Sequence, residues 1–144
     1  MSPAPPAAAT APFFGPGTAV DDVLVVELNS NVVGYVRLGP VEKLRSAAHV
    51  LEINGLAVDP ARKRQGLGRA LVSAAIDLSV ERGARRLVLR VLGPNVGARA
   101  LYKSCGFETE GILRERFLLE GRYVDDVIMA LDLYAAPTSS ASSL

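Results

Sequence analysis

The sequence predicts an α/β (α+β) domain built on one mixed central sheet of about six strands with a β-α-β unit in its middle. Three observations predict it. Runs rich in Val, Leu and Ile come first, divided by turn residues. One stretch then shifts to helical spacing, and an alternating strand follows it. The chain has 144 residues, 49% of them apolar, which suits one domain with one buried core.

The opening stretch MSPAPPAAATAP is rich in Ala and Pro but has neither a basic n-region nor a continuous apolar run. Residues 1–21 therefore read as a disordered leader rather than a secretory signal. Val23 to Leu28 is almost wholly β-branched or leucine; Asn29-Ser30-Asn31 and then Val32 to Leu38 follow, a hairpin signal. Gly39-Pro40 ends that strand, and Val50 to Val58 forms the next until Asp59-Pro60 stops it. Leu67, Leu71, Ala74, Ala75 and Leu78 fall on one helical face, and Gly83 stands where a C-terminal cap belongs. Leu87, Leu89 and Val91 alternate with Val88 and Arg90, giving a strand parallel to the one before the helix. Asn95 opens a short helix with Ala98, Leu101, Tyr102 and Cys105 inward, closed by Gly106. Two more strands meet around Glu120-Gly121. The folded domain is thus 22–134, and the small polar residues 135–144 read as a disordered tail.

Charge and composition narrow the function. A formal net charge of +1 gives no broad positive field, so binding to nucleic acid is not expected. The lone Cys105 excludes an internal disulfide and a multi-cysteine metal site, and cytoplasm is the expected compartment. No apolar run approaches the roughly 20 residues that span a bilayer, so no membrane partner is expected.

The residues Arg62-Lys63-Arg64-Gln65-Gly66-Leu67-Gly68-Arg69 lie between a strand and a helix. Glycines let the backbone approach a ligand, and unpaired N–H groups at a helix start attract phosphate. Neither a Walker A loop nor a three-glycine dinucleotide fingerprint is present. A solvated basic face with a glycine turn describes the same residues, and the loop alone leaves both readings open.

Leu56-Ala57-Val58-Asp59-Pro60, then Gly66-x-Gly68, then Asn95-x-x-Ala98-x-x-Leu101-Tyr102-x-x-x-Gly106-Phe107 resemble, in order and spacing, the GNAT superfamily of N-acetyltransferases. The resemblance covers residues 22–133. It implies an acetyl-CoA-binding β-α-β core in which backbone groups of Leu56, Ala57 and Val58 bond the pantetheine arm. The pyrophosphate loop maps onto Lys63, Arg64, Gln65, Gly66, Leu67 and Gly68, with Arg69 beside it. Lys63 departs from the usual Gln or Arg. Asn95 matches a cofactor-contacting position and Tyr102 the tyrosine near the sulfur. No metal is implied.

The implied activity is acetyl transfer to a primary amine, a protein N-terminus, a lysine or a small amine, by direct attack in a ternary complex. Glu52 resembles the strand glutamate that some members use as a base, with Glu27, Asp59 and Glu110 behind it. Tyr102 would protonate the departing thiolate, its ordinary pKa of about 10 lying above that of a thiol. Arg90 stands where some relatives carry an acid. Members normally begin with a strand and two helices that build one wall of the acceptor cleft; here these are expected to be missing, so that the chain begins late, a partner subunit completes the cleft or acceptor binding differs, and exposed sheet edges favour a homodimer. The alternative is a non-catalytic acyl-CoA-binding or regulatory module.

Overall fold

The computed structural model describes residues 8–12, 22–42, 44–62 and 65–134. In chain order the elements are β1 (Ala8–Pro12), β2 (Asp22–Leu28), β3 (Asn31–Pro40), β4 (Val50–Val58), α1 (Leu67–Glu81), β5 (Arg86–Leu92), α2 (Val96–Ser104), β6 (Glu108–Leu119) and β7 (Arg122–Asp132). One sheet contains all seven strands in the order β1-β2-β3-β4-β5-β7-β6. Only β4 and β5 run parallel; every other neighbouring pair is antiparallel.

Short-range chemistry accounts for most of these boundaries. Asn29 and Ser30 both take positive φ, 53° and 68°, the turn whose twist matches a tight hairpin between β2 and β3. Glu120 and Gly121 repeat that geometry between β6 and β7. The Asn95 side chain accepts a hydrogen bond from the Ala98 N–H at 3.1 Å and so caps α2. In contrast to the expected break at Gly39-Pro40, β3 runs through Pro40, which pairs with Leu51. Proline is tolerated there because it ends the strand.

The core lies between one face of the sheet and α1. Leu24, Val26, Val36, Leu38, Ile53, Leu87, Leu89, Val127 and Met129 pack beneath Leu67, Leu71, Val72 and Ala75, joined by Tyr102 and Phe107. The buried Ser79 hydroxyl donates to the Ala75 carbonyl at 2.7 Å, so this apolar interface carries its polar group satisfied. Residues that alternate with the core set, among them Tyr35, Arg37, Glu52, Val88 and Arg90, occupy the other face and are half-buried or exposed.

The expectation that the first strand is missing and that 1–21 is wholly leader is corrected at Ala8–Pro12. These residues pair with β2 from Ala8↔Val26 to Pro12↔Asp22, filling its outer edge. Composition hid the strand because Ala and Pro are poor strand formers, whereas an edge accepts them when a row of backbone partners is offered. The other leader positions and the tail 135–144 lie outside the described residues. Residues 13–21, between β1 and β2, lie outside the described residues, and so does the expected absence of a helix pair there.

Candidate active site

A fork between the two parallel strands makes the site. β4 and β5 pair only from Val50↔Arg86 to Ile53↔Leu89. Beyond Ile53, β4 stays on β3, with Gly55 opposite Arg37 and Val58 opposite Gly34. Meanwhile β5 stays on β7 to Leu92, opposite Asp126. Asn54 causes the divergence in part: it is the extra residue of a bulge, inserted between Gly55, opposite Arg37, and Ile53, opposite Leu38. Such a bulge bends a strand and increases its twist. The β5-facing backbone groups of the last β4 residues are left without a ladder partner there, which is the arrangement an extended amide chain can bond to.

The fork opens a cleft of about 380 Å³, walled by Asn54–Leu56, Arg90–Leu92 and the α2 residues Ala98 and Tyr102, with Glu52 and Asn95 on its border. Tyr102 is 7% exposed, and its ring meets Phe107 edge-on with centroids 6.0 Å apart. Burial, and secondarily the neighbouring Cys105, push its phenol above the ordinary value. The hydroxyl thus holds its proton across the neutral range and acts as a donor. Glu52 is half-buried on the sheet face away from α1, so the gap brings a carboxylate and a phenol to one cleft from opposite sides of the sheet. Asn95 is present too, though its carbonyl oxygen is engaged in capping.

A second cavity of about 290 Å³ lies at the start of α1, lined by Val58, Arg62, Gly66, Leu67, Gly68, Arg69 and Leu101. Gly66 precedes the helix with φ 76° and supplies no side-chain cap, and the first turn has no acidic residue. The early N–H groups therefore face the cavity end with their partial positive charge uncompensated. Gly68 lets α2 approach, since an added Cβ would meet Leu101 Cδ2 at 3.3 Å. Arg69 turns to α2 instead, donating to Ser104 Oγ at 2.5 Å and approaching Cys105 Sγ at 3.9 Å. Leu56 and Val58 are half-buried while Ala57 and Gln65 are exposed. Lys63 and Arg64 lie outside the described residues. A larger cavity, about 730 Å³ between α2 and the start of β6, contains neither Tyr102 nor Glu52 nor the α1 N-terminus.

The chain matches known proteins in sequence and in shape. Residues 8–107 match the acetyltransferase (GNAT) family. The chain belongs to that family. The [ribosomal protein bS18]-alanine N-acetyltransferase of Escherichia coli K12 is 44% identical over 78 residues, 54% of this chain and 53% of the relative. The chain thus spans about half the length of the curated relatives it matches. Among solved structures, smu.2055 of Streptococcus mutans is 33% identical with a TM-score of 0.74, over 78% of this chain and 70% of the other. The yncA protein of Salmonella typhimurium, solved with its cofactor acetyl-CoA, is 29% identical with a TM-score of 0.75, over 85% and 70% of the respective chains.

One pairing beside the cleft escaped the sequence, that of Arg90, which lines it, with Asp126. Asp126 is 2% exposed, and its Oδ2 lies 3.3 Å from Nη1 of Arg90. In the sequence Asp125-Asp126, with Arg114, Arg116 and Arg122 across the last hairpin, reads either as flanking the acceptor site or as a solvated strand face. Only the pairing of Asp126 opposite Leu92 brings it beside the fork, and that pairing is nonlocal.

Proposed function

We propose that this protein transfers the acetyl group of acetyl-CoA to a primary amine by direct attack in a ternary complex. One observation carries the reading: a single cleft at the β4–β5 fork is bordered by a proton-holding Tyr102 and by Glu52. Acetyl-CoA is the substrate whose shape suits this place. Its pantetheine arm would run along the unpaired edge of Leu56–Val58, and its pyrophosphate would meet the N–H groups of Gly66, Leu67 and Gly68, with Gln65 alongside. Lys63, Arg64 and Arg69 would add positive charge near those phosphates, and Asn95 would contact the arm from α2.

The chemistry then follows from the residues. Glu52 removes a proton from the acceptor ammonium, and the free amine attacks the thioester carbonyl. Negative charge that gathers on the carbonyl oxygen is stabilised by backbone donors near Ala57 and Val58. As the carbon–sulfur bond breaks, Tyr102 gives its proton to the thiolate. The second proton leaves the nitrogen as the amide forms and passes through water to restore the phenol, and Glu52 releases the first to solvent.

A protein amine as acceptor is supported by relatives named as bS18-alanine N-acetyltransferases. The rival reading, a non-catalytic acyl-CoA-binding module, is favoured by the sheet face away from α1, against which no helix packs among the described residues. Calorimetric titration with acetyl-CoA and a thiol-release assay across an amine panel separate the two. Binding with amine-dependent thiol release is the expected result; binding without it selects the module, and no binding at millimolar concentration overturns both.

A further inference from the structure

Acetyl transfer leaves one charged group in the cleft unused. Arg90 lies on the sheet face away from α1 and borders the cleft with Glu52, Leu92 and Tyr102. Its side chain is 50% exposed, whereas that of its partner Asp126 is 3% exposed. Leu92 stands opposite Asp126 and Arg90 opposite Ile128, so the two charges are diagonal neighbours on one face. Their 3.3 Å contact is an ion pair rather than a hydrogen bond, because Asp126 Oδ2 has no hydrogen-bond partner. A guanidinium offers five N–H donors on a rigid fork, and one contact with Asp126 anchors it while the exposed remainder borders the cleft.

We propose that Arg90 selects the acceptor by binding a carboxylate that the substrate carries beside the amine to be acylated. This inference rests on the acetyl-transfer reading. The phosphates of acetyl-CoA do not compete for Arg90, since their cavity at the start of α1 shares no lining residue with the fork. A planar carboxylate suits the fork with two parallel hydrogen bonds. A phosphate dianion is disfavoured there, because Glu52 and Asp126 flank Arg90 on the same face. The arrangement places a negative group, Glu52, for the ammonium and a positive one, Arg90, for the carboxylate. The acceptor is therefore a free amino acid or a peptide whose residue next to the amine is acidic.

Thiol release is measured with two acceptor pairs, alanine against alaninamide and Ala-Glu-amide against Ala-Gln-amide. A preference for alanine identifies the free α-carboxylate as the source, and a preference for Ala-Glu-amide identifies the side chain. Arg90→Gln should lower kcat/KM for the favoured carboxylate acceptor by roughly 10- to 100-fold, the worth of a charged hydrogen bond. Its neutral counterpart and the affinity for acetyl-CoA should change little. Arg90→Lys should keep part of the preference, and Arg90→Glu should reverse it. Since Arg90→Gln leaves a buried carboxylate without its partner, the double variant Arg90→Gln/Asp126→Asn is measured beside it and should lose the preference equally. A wild-type ratio near one in both pairs, or an equal loss with all four acceptors, overturns the assignment; the latter gives Arg90 only the task of holding Asp126. If acetyl-CoA binds but no amine releases thiol, the transfer reading falls and the Arg90 assignment falls with it, an outcome distinct from the other two.

Discussion

Gly66 and Gly68 stand two residues apart at the start of α1, yet alanine should act in opposite directions at the two. At Gly66 the φ is 76° and nothing lies within 4 Å of an added Cβ, so the cost is purely conformational. It should amount to about 1–2 kcal/mol, which at about 4 °C per kcal/mol for a domain of this size lowers Tm by about 4–8 °C. Gly68 lies within the helix, and its new Cβ would meet only the end of the Leu101 side chain at 3.3 Å. Alanine there gains about 1 kcal/mol of helix propensity, so Tm should hold or rise. Binding should report the reverse. Acetyl-CoA at a hundred times Kd stabilises a folded protein by about 2.7 kcal/mol. In Gly68→Ala the methyl would meet Leu101, which lines the same cavity proposed for the phosphates; a tenfold weaker Kd would reduce that increment to about 1.4 kcal/mol at the same ligand concentration. Thermal melts with and without acetyl-CoA measure both quantities. Gly68→Ala melting below Gly66→Ala without ligand, or gaining the same ligand increment as the wild type, would contradict these expectations.

Other substitutions probe the chemistry and the core. Tyr102→Phe should lower kcat by about 10²–10⁴-fold with acetyl-CoA affinity unchanged, read by steady-state thiol release and calorimetry. Its phenol is raised in the folded state, so the folded form holds that proton more tightly than the unfolded one. Stability from this group is complete below the unfolded value near 10 and is lost as pH rises through the folded value; Tyr102→Phe should flatten the decline of Tm in that alkaline window. Glu52→Gln should reduce kcat/KM most at low pH, where the acceptor is protonated, and a loss that does not vary with pH would assign proton removal to water. Leu71→Ala empties a fully buried position between α1 and the sheet and should cost about 2–5 kcal/mol in a denaturation experiment.

Local signals made much of this fold legible. The hairpin turn at Asn29-Ser30, the apolar stripe of α1 and the Asn95 cap each arise from neighbouring residues, and each stands where the sequence places it. Ala8–Pro12 was not legible, because its pairing depends on the free edge of β2 and not on its own composition. The proposed cofactor end was read from Gly66 and Gly68, and the structure places both where the sequence does, at the start of α1. Side-chain partners were harder: Arg69 lines the cavity at the start of α1 but also braces Ser104, and the Arg90–Asp126 pair exists only through the β5–β7 register.

Backbone amide shifts during a titration of ¹⁵N-labelled protein with acetyl-CoA test the central claim most directly. The predicted result is a saturable set of large shifts along Leu56–Val58, through Gly66–Arg69 and at Asn95 and Tyr102, marking a ligand laid from the fork to the start of α1. Shifts centred instead on the cavity between α2 and β6, with Leu56–Val58 and Gly66–Arg69 unmoved, would contradict it.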